Sequence, residues 1–248
     1  MADPVLPLGF VLHRFDAVGS TMDVARDMIG SKSGIGARGA VVWAAEQTGG
    51  RGRHGRQWSS PPGNLYATVI LYHDRPTTDA PQLAMVAGVA LAEAVADDLP
   101  AGAVSLKWPN DLLLNDAKTA GILLEGNGKT ASPVLIGSGV NIASAPDNTP
   151  YQATTLREAG SAIDPASLLE RYIAALAQWT DRWNRQGFDP VRARWLSVSA
   201  GLGKPVTIRL PDGEKRGIFA DMDETGTLIL KTEDGNTEKI SAGDVFFR

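Results

Sequence analysis

Residues 103–142 read AVSLKWPNDLLLNDAKTAGILLEGNGKTASPVLIGSGVNI. They hold four strand-like runs, AVSLKW, DLLLN, TAGILLEG and PVLIGSGVNI, separated by turn signals at Pro109–Asp111, Asn115–Lys118 and Gly126–Lys129. Ahead of them, Ala80–Leu99 is alanine-rich with apolar residues at helical spacing, which predicts one long helix. One helix followed by clustered strands predicts an α+β fold, a mixed sheet flanked by helices rather than a doubly wound parallel one.

Further out the pattern is consistent. FVLHRFDAV, GAVVWAAEQ and NLYATVILY predict strands. Between the first two, Ser20 stands at a helix N-cap position with Asp23 three residues on, a weak capping box, and Val24, Ala25, Met28 and Ile29 give the helix one apolar face. SLLERYIAALAQWTDRWN predicts a helix with Trp179 and Trp183 on its buried side, and FDPVRARWLSVS a second. From about Gly201 the texture changes to KPVTIRL, GEKRGIFADM, TGTLILK and EKISAGDVFF, joined by PDG, DETG and DGN turns, the pattern of a small barrel. The expected division is a domain over 1–200 and a barrel over 201–248.

Composition narrows the function classes. The chain has 248 residues, 43% hydrophobic and 21% charged, ordinary globular usage. No cysteine is present, which excludes disulfides, thiolate metal sites and a cysteine nucleophile. Two prolines stand where a signal peptide would carry its apolar core, and LAMVAGVALAEAVA, ending in Asp97 and Asp98, is expected to be too short and too polar to span a bilayer. A cytoplasmic protein with no membrane partner is expected. With a formal net charge of -4 there is no global basic field to attract nucleic acid.

Several motifs fail on context. GIGARG (34–39) and GRGRHG (50–55) both fit G-x-G-x-x-G, but the first precedes a strand and the second runs into Pro61 and Pro62 instead of a helix. GKT at 128–130 lacks the leading glycine of a phosphate loop, because that position is Leu123, and reads as a hairpin turn. DMDETG (221–226) begins like a calcium loop, yet Thr225 and Thr232 replace needed ligands. His13, His54 and His73 have no ligand spacing, and G-x-S-x-G is absent.

Against that acidic background stands GGRGRHGRQW, 49–58. Arg51, Arg53 and Arg56 alternate with Gly50, Gly52 and Gly55, offering planar, permanently charged donors on a backbone that can approach a ligand closely. Unoccupied, these charges repel, so a mobile loop that orders on an anion is expected. KWPND adds Lys107, Asn110 and Asp111 at a strand end, and KTAGILLEG adds Lys118 and a strand glycine, Gly121. Cations, one carboxylate and no nucleophile suit nucleotidyl transfer, where an anionic carboxylate must be brought to an anionic phosphate. Magnesium would be held mostly by phosphate oxygens with one or two protein oxygens. A single Arg-Gly run without an aromatic platform is a poor RNA module.

STMD (20–23), EQTGGRGRHGRQW (46–58), KWPNDLLL (107–114), KTAGILLEG (118–126) and GSGVNI (137–142) resemble, in order and spacing, the biotin protein ligases. The paired arginines before Ser-Gly-Gly of the related lipoate ligases are absent. The resemblance implies a class II aminoacyl-tRNA synthetase-like catalytic domain and an SH3-like C-terminal barrel. It also implies ATP, Mg²⁺ and biotin as reactants, and a biotin carboxyl carrier protein or domain as partner. By motif, Ser20, Thr21 and Gln47 would bond the biotin head, with Gly50, Arg51, Gly52, Arg53 and Gly121 beside it. Lys118 would bridge the biotin carboxyl group and the α-phosphate. Arg53, Arg56, Trp58, Asn110, Lys118 and Asn141 would serve ATP. Lys118, Asp111, Arg53 and Lys107 form the implied catalytic group, with Asp111 assisting Mg²⁺. Met22 stands where the family often has Asn, and His54 where Arg is frequent. Only about nine residues precede the first strand, so no DNA-binding domain and no operator binding are expected; the sheet edges could support a homodimer.

Overall fold

The computed structural model describes residues 3–31, 33–126, 133–147 and 149–247. The hairpin turn expected at residues 128–130 lies outside them. β1 (Phe10–Val18) and β2 (Gly39–Gln47) run parallel because helix α1 (Thr21–Ser31) crosses between them. Every later neighbour in this sheet is antiparallel: β3 (Leu65–Leu71), β7 (Val134–Val140), β6 (Ala117–Glu125), β5 (Asp111–Leu114) and β4 (Val104–Lys107), in the order β1-β2-β3-β7-β6-β5-β4. The expected mixed sheet is therefore present. Asn115 and Asp116 join β5 to β6 with φ of 48° and 67°, the left-handed pair that a two-residue hairpin requires and that Asn and Asp tolerate best among side-chain-bearing residues.

Helix α2 (Leu83–Ala96) starts later than its periodicity predicts, because Thr77–Gln82 is a 3-10 turn containing Pro81. By length and apolarity the stretch Thr77–Ala96 could cross a membrane, contrary to the sequence expectation; here its residues from Met85 to Leu91 are all buried in the core. α2 packs with α3 (Pro165–Gln186) and α4 (Asp189–Ser197) on one face of the sheet, and α1 covers the other. Asp164 caps α3 by accepting from Ala166 N at 2.9 Å and Ser167 N at 3.2 Å. Trp183 and Trp179 are buried as expected, with indole N–H groups donating to Gln82 and Glu93.

The C-terminal segment is a five-stranded antiparallel sheet of SH3-like type, ordered β11-β10-β9-β8-β12. Its strands are β8 (Pro205–Leu210), β9 (Gly213–Met222), β10 (Leu228–Thr232), β11 (Thr237–Ile240) and β12 (Asp244–Phe247). EKISAGDVFF, read from sequence as one strand, is two, broken at Gly243 with φ 150°. DMDETG is the expected hairpin: Asp223 Oδ1 accepts from Thr225 N, Thr225 Oγ1 and Thr227 N, and Lys239 pairs with its other oxygen at 2.9 Å. The barrel docks firmly on the larger sheet. Trp108 Nε1 donates to Gly226 O at 3.0 Å, Arg192 reaches both oxygens of Asp221 at 2.6 Å, and Trp195 stacks near Phe219. This docking brings the first residues of β12 to the end of β4 and β5, where the site lies.

Candidate active site

A cavity of ≈ 440 Å³ opens between the first turn of α1, the 49–58 loop, the floor of β6 and β7, the 107–111 turn and β12. Its wall carries six cations, Arg51, Arg53, Arg56, Lys107, Lys118 and Arg209, and two carboxylates, Asp111 and Asp244. A chain of net charge -4 thus concentrates positive charge in one concave place, where low-dielectric walls focus it on an incoming anion. Met22, Trp58, Trp108, Ile122, Leu123 and Phe246 supply apolar wall beside it.

The arginine loop is folded as a hairpin. Arg51 pairs with Gln57 across it, Gly52 N donates to Arg56 O at 2.8 Å and Trp58 N to Gly50 O at 2.9 Å. His54 (φ 56°) and Gly55 (φ 71°) turn the tip. Repulsion among the arginines is offset by carboxylates from two other elements. Arg51 Nη2 donates to Asp23 Oδ1 on α1 at 2.5 Å. Arg56 donates to Asp244 of β12, and Arg53 Nη1 lies 3.7 Å from the same carboxylate while donating to Asn110 Oδ1 at 3.1 Å. Burial pushes the Asp244 carboxyl up, but Arg56 and Arg53 outweigh it and hold it below the ordinary range. Burial also draws the Arg53 guanidinium below its ordinary value, opposed by Asp244 and Asp111.

Gly50 and Gly121 serve close packing. A Cβ at Gly50 would lie 2.5 Å from both Ser60 Oγ and Trp58 O, so Gly50 supports the loop from beneath and stands outside the cavity wall. Gly121 and Gly139 face one another across β6 and β7, and the group that approaches them is the Trp58 ring. The Lys118 ammonium sits 5.6 Å from that ring and 5.1 Å from the ring of Tyr151. Asp111 Oδ1 accepts Lys118 Nζ at 2.6 Å and Oδ2 lies 3.6 Å from Lys107 Nζ. Burial lowers the Lys107 amine, with Asp111 opposing.

Of the residues expected from sequence, Ser20, Thr21, Gln47, Arg51, Gly52, Arg53, Arg56, Trp58, Lys107, Asn110, Asp111, Lys118 and Gly121 do converge on the cavity. Asn141 does not reach the wall. Its backbone and amide bond Thr119, Thr154 and Leu156, so it fastens the 152–156 segment to β6 and β7. Gln47 is partly spent within the protein, its Oε1 accepting from Thr21 N at 2.9 Å and Thr21 Oγ1 at 3.0 Å and its amide donating to Ser60. Asp111 has a lysine at each oxygen, which makes it a charge partner rather than an open metal ligand; among the described residues no cluster of three metal-binding side chains exists. Sequence reasoning missed Arg209, Asp244, Phe246 and Tyr151, all on the wall. No local pattern distinguishes them, since they arrive through barrel docking and the path of residues 149–155.

This fold and site place the chain in the biotin/lipoate A/B protein ligase family, whose model matches residues 17–141, while the model of the biotin protein ligase C-terminal domain matches residues 201–248. The chain therefore belongs to that family, and to its biotin branch by the second match. It is 41% identical over 217 residues to a biotin--[acetyl-CoA-carboxylase] ligase of Paracoccus denitrificans, covering 84% of this chain and 90% of that one. Among solved structures it is similar to biotin protein ligase from Aquifex aeolicus in complex with biotin and ATP, at 27% identity and TM-score 0.79, covering 96% and 98% of the two chains. The Leishmania major enzyme in complex with biotinyl-5-AMP matches at 32% identity and TM-score 0.68, covering 95% and 100%.

Proposed function

We propose that the chain is an ATP-dependent biotin protein ligase: it activates biotin as biotinyl-5'-AMP and transfers the biotinyl group to a lysine of a biotin carboxyl carrier domain, such as that of acetyl-CoA carboxylase. The observation that carries this reading is the cavity itself, six cations against two carboxylates beside an apolar wall, with no nucleophile needed from the protein. In the first step a biotin carboxylate oxygen attacks the α-phosphorus of ATP, the bond to the bridging oxygen breaks and pyrophosphate leaves. In the second, the neutral amine of the carrier lysine attacks the acyl carbon, AMP departs and the amine loses a proton.

The protein's share is alignment and charge. Lys118 on β6 stands between the cavity floor and Asp111, suited to meeting both the carboxylate and the α-phosphate. Arg53, Arg56, Lys107 and Arg209 face the phosphates, and Ser20 and Thr21, at the first turn of α1, offer hydroxyls to the biotin ring end. Trp58 closes the floor under the loop, and the loop keeps water from the mixed anhydride. Magnesium enters as MgATP, ligated chiefly by phosphate oxygens.

Residues 1–200 are assigned to catalysis and 201–248 to the barrel, whose Asp244 and Phe246 complete the wall. A cytoplasmic location belongs to the same reading, supported by the absence of cysteine, and so does a carrier protein rather than DNA as partner, supported by the acidic pI of ≈ 5.4. The outer edge of β1 pairs with no other described strand, which supports a homodimer. The test is biotin-dependent exchange of labelled pyrophosphate into ATP without carrier, with lipoate as control. Exchange with biotin alone is expected; folded protein that exchanges with no acid overturns the reading.

A further inference from the structure

The contact that ties the loop to α1 joins Arg51 of the cavity wall to Asp23, a residue with no part assigned in the reaction. Asp23 Oδ1 accepts from Arg51 Nη2 at 2.5 Å and from Arg26 Nη1 at 2.6 Å, and the second nitrogen of Arg26 donates to Glu125 Oε2 on β6 at 2.7 Å. Four alternating charges thus link the loop, the helix and the sheet in one chain. The same helical turn presents Ser20, Thr21 and Met22 to the cavity, and Thr21 is itself fixed by Gln47 and Thr68. A carboxylate in the first turn of a helix is favoured by the helix dipole, so Asp23 holds its charge where Arg51 needs it.

We propose that Asp23 is a positioning residue for the ligase reaction: it latches the 49–58 loop to α1 through Arg51 and so governs how long biotin and the adenylate are retained. This rests on the functional reading above. Asp23 is not on the cavity wall and touches no reacting group; it acts through Arg51, which is on the wall. Hydrogen bonding to Arg51 keeps its carboxyl below the ordinary carboxylate range, so the latch is charged throughout the neutral region.

The pair is partly exposed, with side chains 43% and 41% accessible, and exposed pairs are worth up to about 1 kcal/mol, so its loss corresponds to about fivefold. The experiment uses the full-length enzyme and its D23N and D23E variants. Labelled biotinyl-adenylate is formed on the enzyme and chased with unlabelled biotin, and pyrophosphate exchange gives KM for biotin and kcat. D23N is expected to release the adenylate about fivefold faster and to raise KM for biotin by a similar factor, with kcat changed less than about twofold and the melting temperature nearly unmoved. D23E keeps slow release.

A purely structural role for Asp23 would lower the melting temperature and kcat together. Release and KM unchanged in folded D23N overturn the latch, as does release from D23E as fast as from D23N. Failure of the wild-type enzyme to exchange at all refutes the functional reading instead, so the two failures are distinct.

Discussion

Replacing Gly139 by Ala places a methyl group 2.5, 2.6 and 2.9 Å from Nε1, Cε2 and Cζ2 of Trp58. The strand cannot yield, because Gly139 pairs with Tyr66 on one side and Gly121 on the other. Nor is the backbone strained by a side chain, since Gly139 is not among the left-handed glycines. The whole cost falls on the ring, which must rise by about 1 Å to regain van der Waals separation, at about 1–3 kcal/mol for overpacking. Trp58 takes its loop with it, and displacements of about 1 Å in a positioned site cost on the order of 10²-fold in rate. G139A is therefore expected to lose about 30- to 100-fold in biotin-dependent pyrophosphate exchange while still unfolding cooperatively within a few degrees of the parent. G121A, whose methyl would lie 3.2 Å from the same ring, should lose less. In a W58L background the added cost of G139A should nearly vanish. Exchange within twofold of the parent in G139A, or a larger loss in G121A, would refute the argument.

Three further outcomes follow from groups outside that contact. Asn64 Oδ1 accepts from the amides of Ile142, Ala143 and Ser144 at 2.9, 2.8 and 3.2 Å. N64A, leaving them unpaired in a buried place, should cost about 2–4 kcal/mol in urea unfolding. Burial pushes Asp223 up, but Lys239, the Thr225 hydroxyl and the amides of Thr225 and Thr227 bring it down to about 2. Its folded value lies below the unfolded one, so it stabilises the fold above the ordinary carboxylate range, and the melting deficit of D223N should be full at neutral pH and shrink as pH falls from about 4 toward 2. D111N removes the negative charge that opposes burial at Lys107, so the Lys107 proton should leave at lower pH and the alkaline limb of the exchange profile should move down; an unmoved limb excludes Lys107 as the group responsible.

Much of the catalytic sheet was legible because its signals are local. The apolar-rich runs FVLHRFDAV and GAVVWAAEQ mark both strands at their observed bounds, and Asn115–Asp116 announces its hairpin by residue type alone. Pro81 explains the late start of α2, a local effect that apolar spacing hides. The loop was legible as cationic but its carboxylate partners were not, since these are Asp23 and Asp244, the latter 188 residues from Arg56. Gly121 announced a close approach without saying whose; only the pairing of β6 with β7 sets it opposite Gly139 beneath Trp58. Asn141 carried a motif position yet faces the protein's own carbonyls, because a motif states which residue occurs and not which way it turns.

The cavity wall runs from Ser20 to Phe246, so it draws on both sheets at once. A small molecule seated there acts as a cross-brace: unfolding of either sheet dissolves its site, and its binding free energy therefore resists both. At a concentration 100 times its dissociation constant that contribution is about 2.7 kcal/mol. Biotin and nucleotide should then raise the thermal stability of the barrel as much as that of the larger sheet, and a protease should find the substrate-loaded chain closed at both ends together.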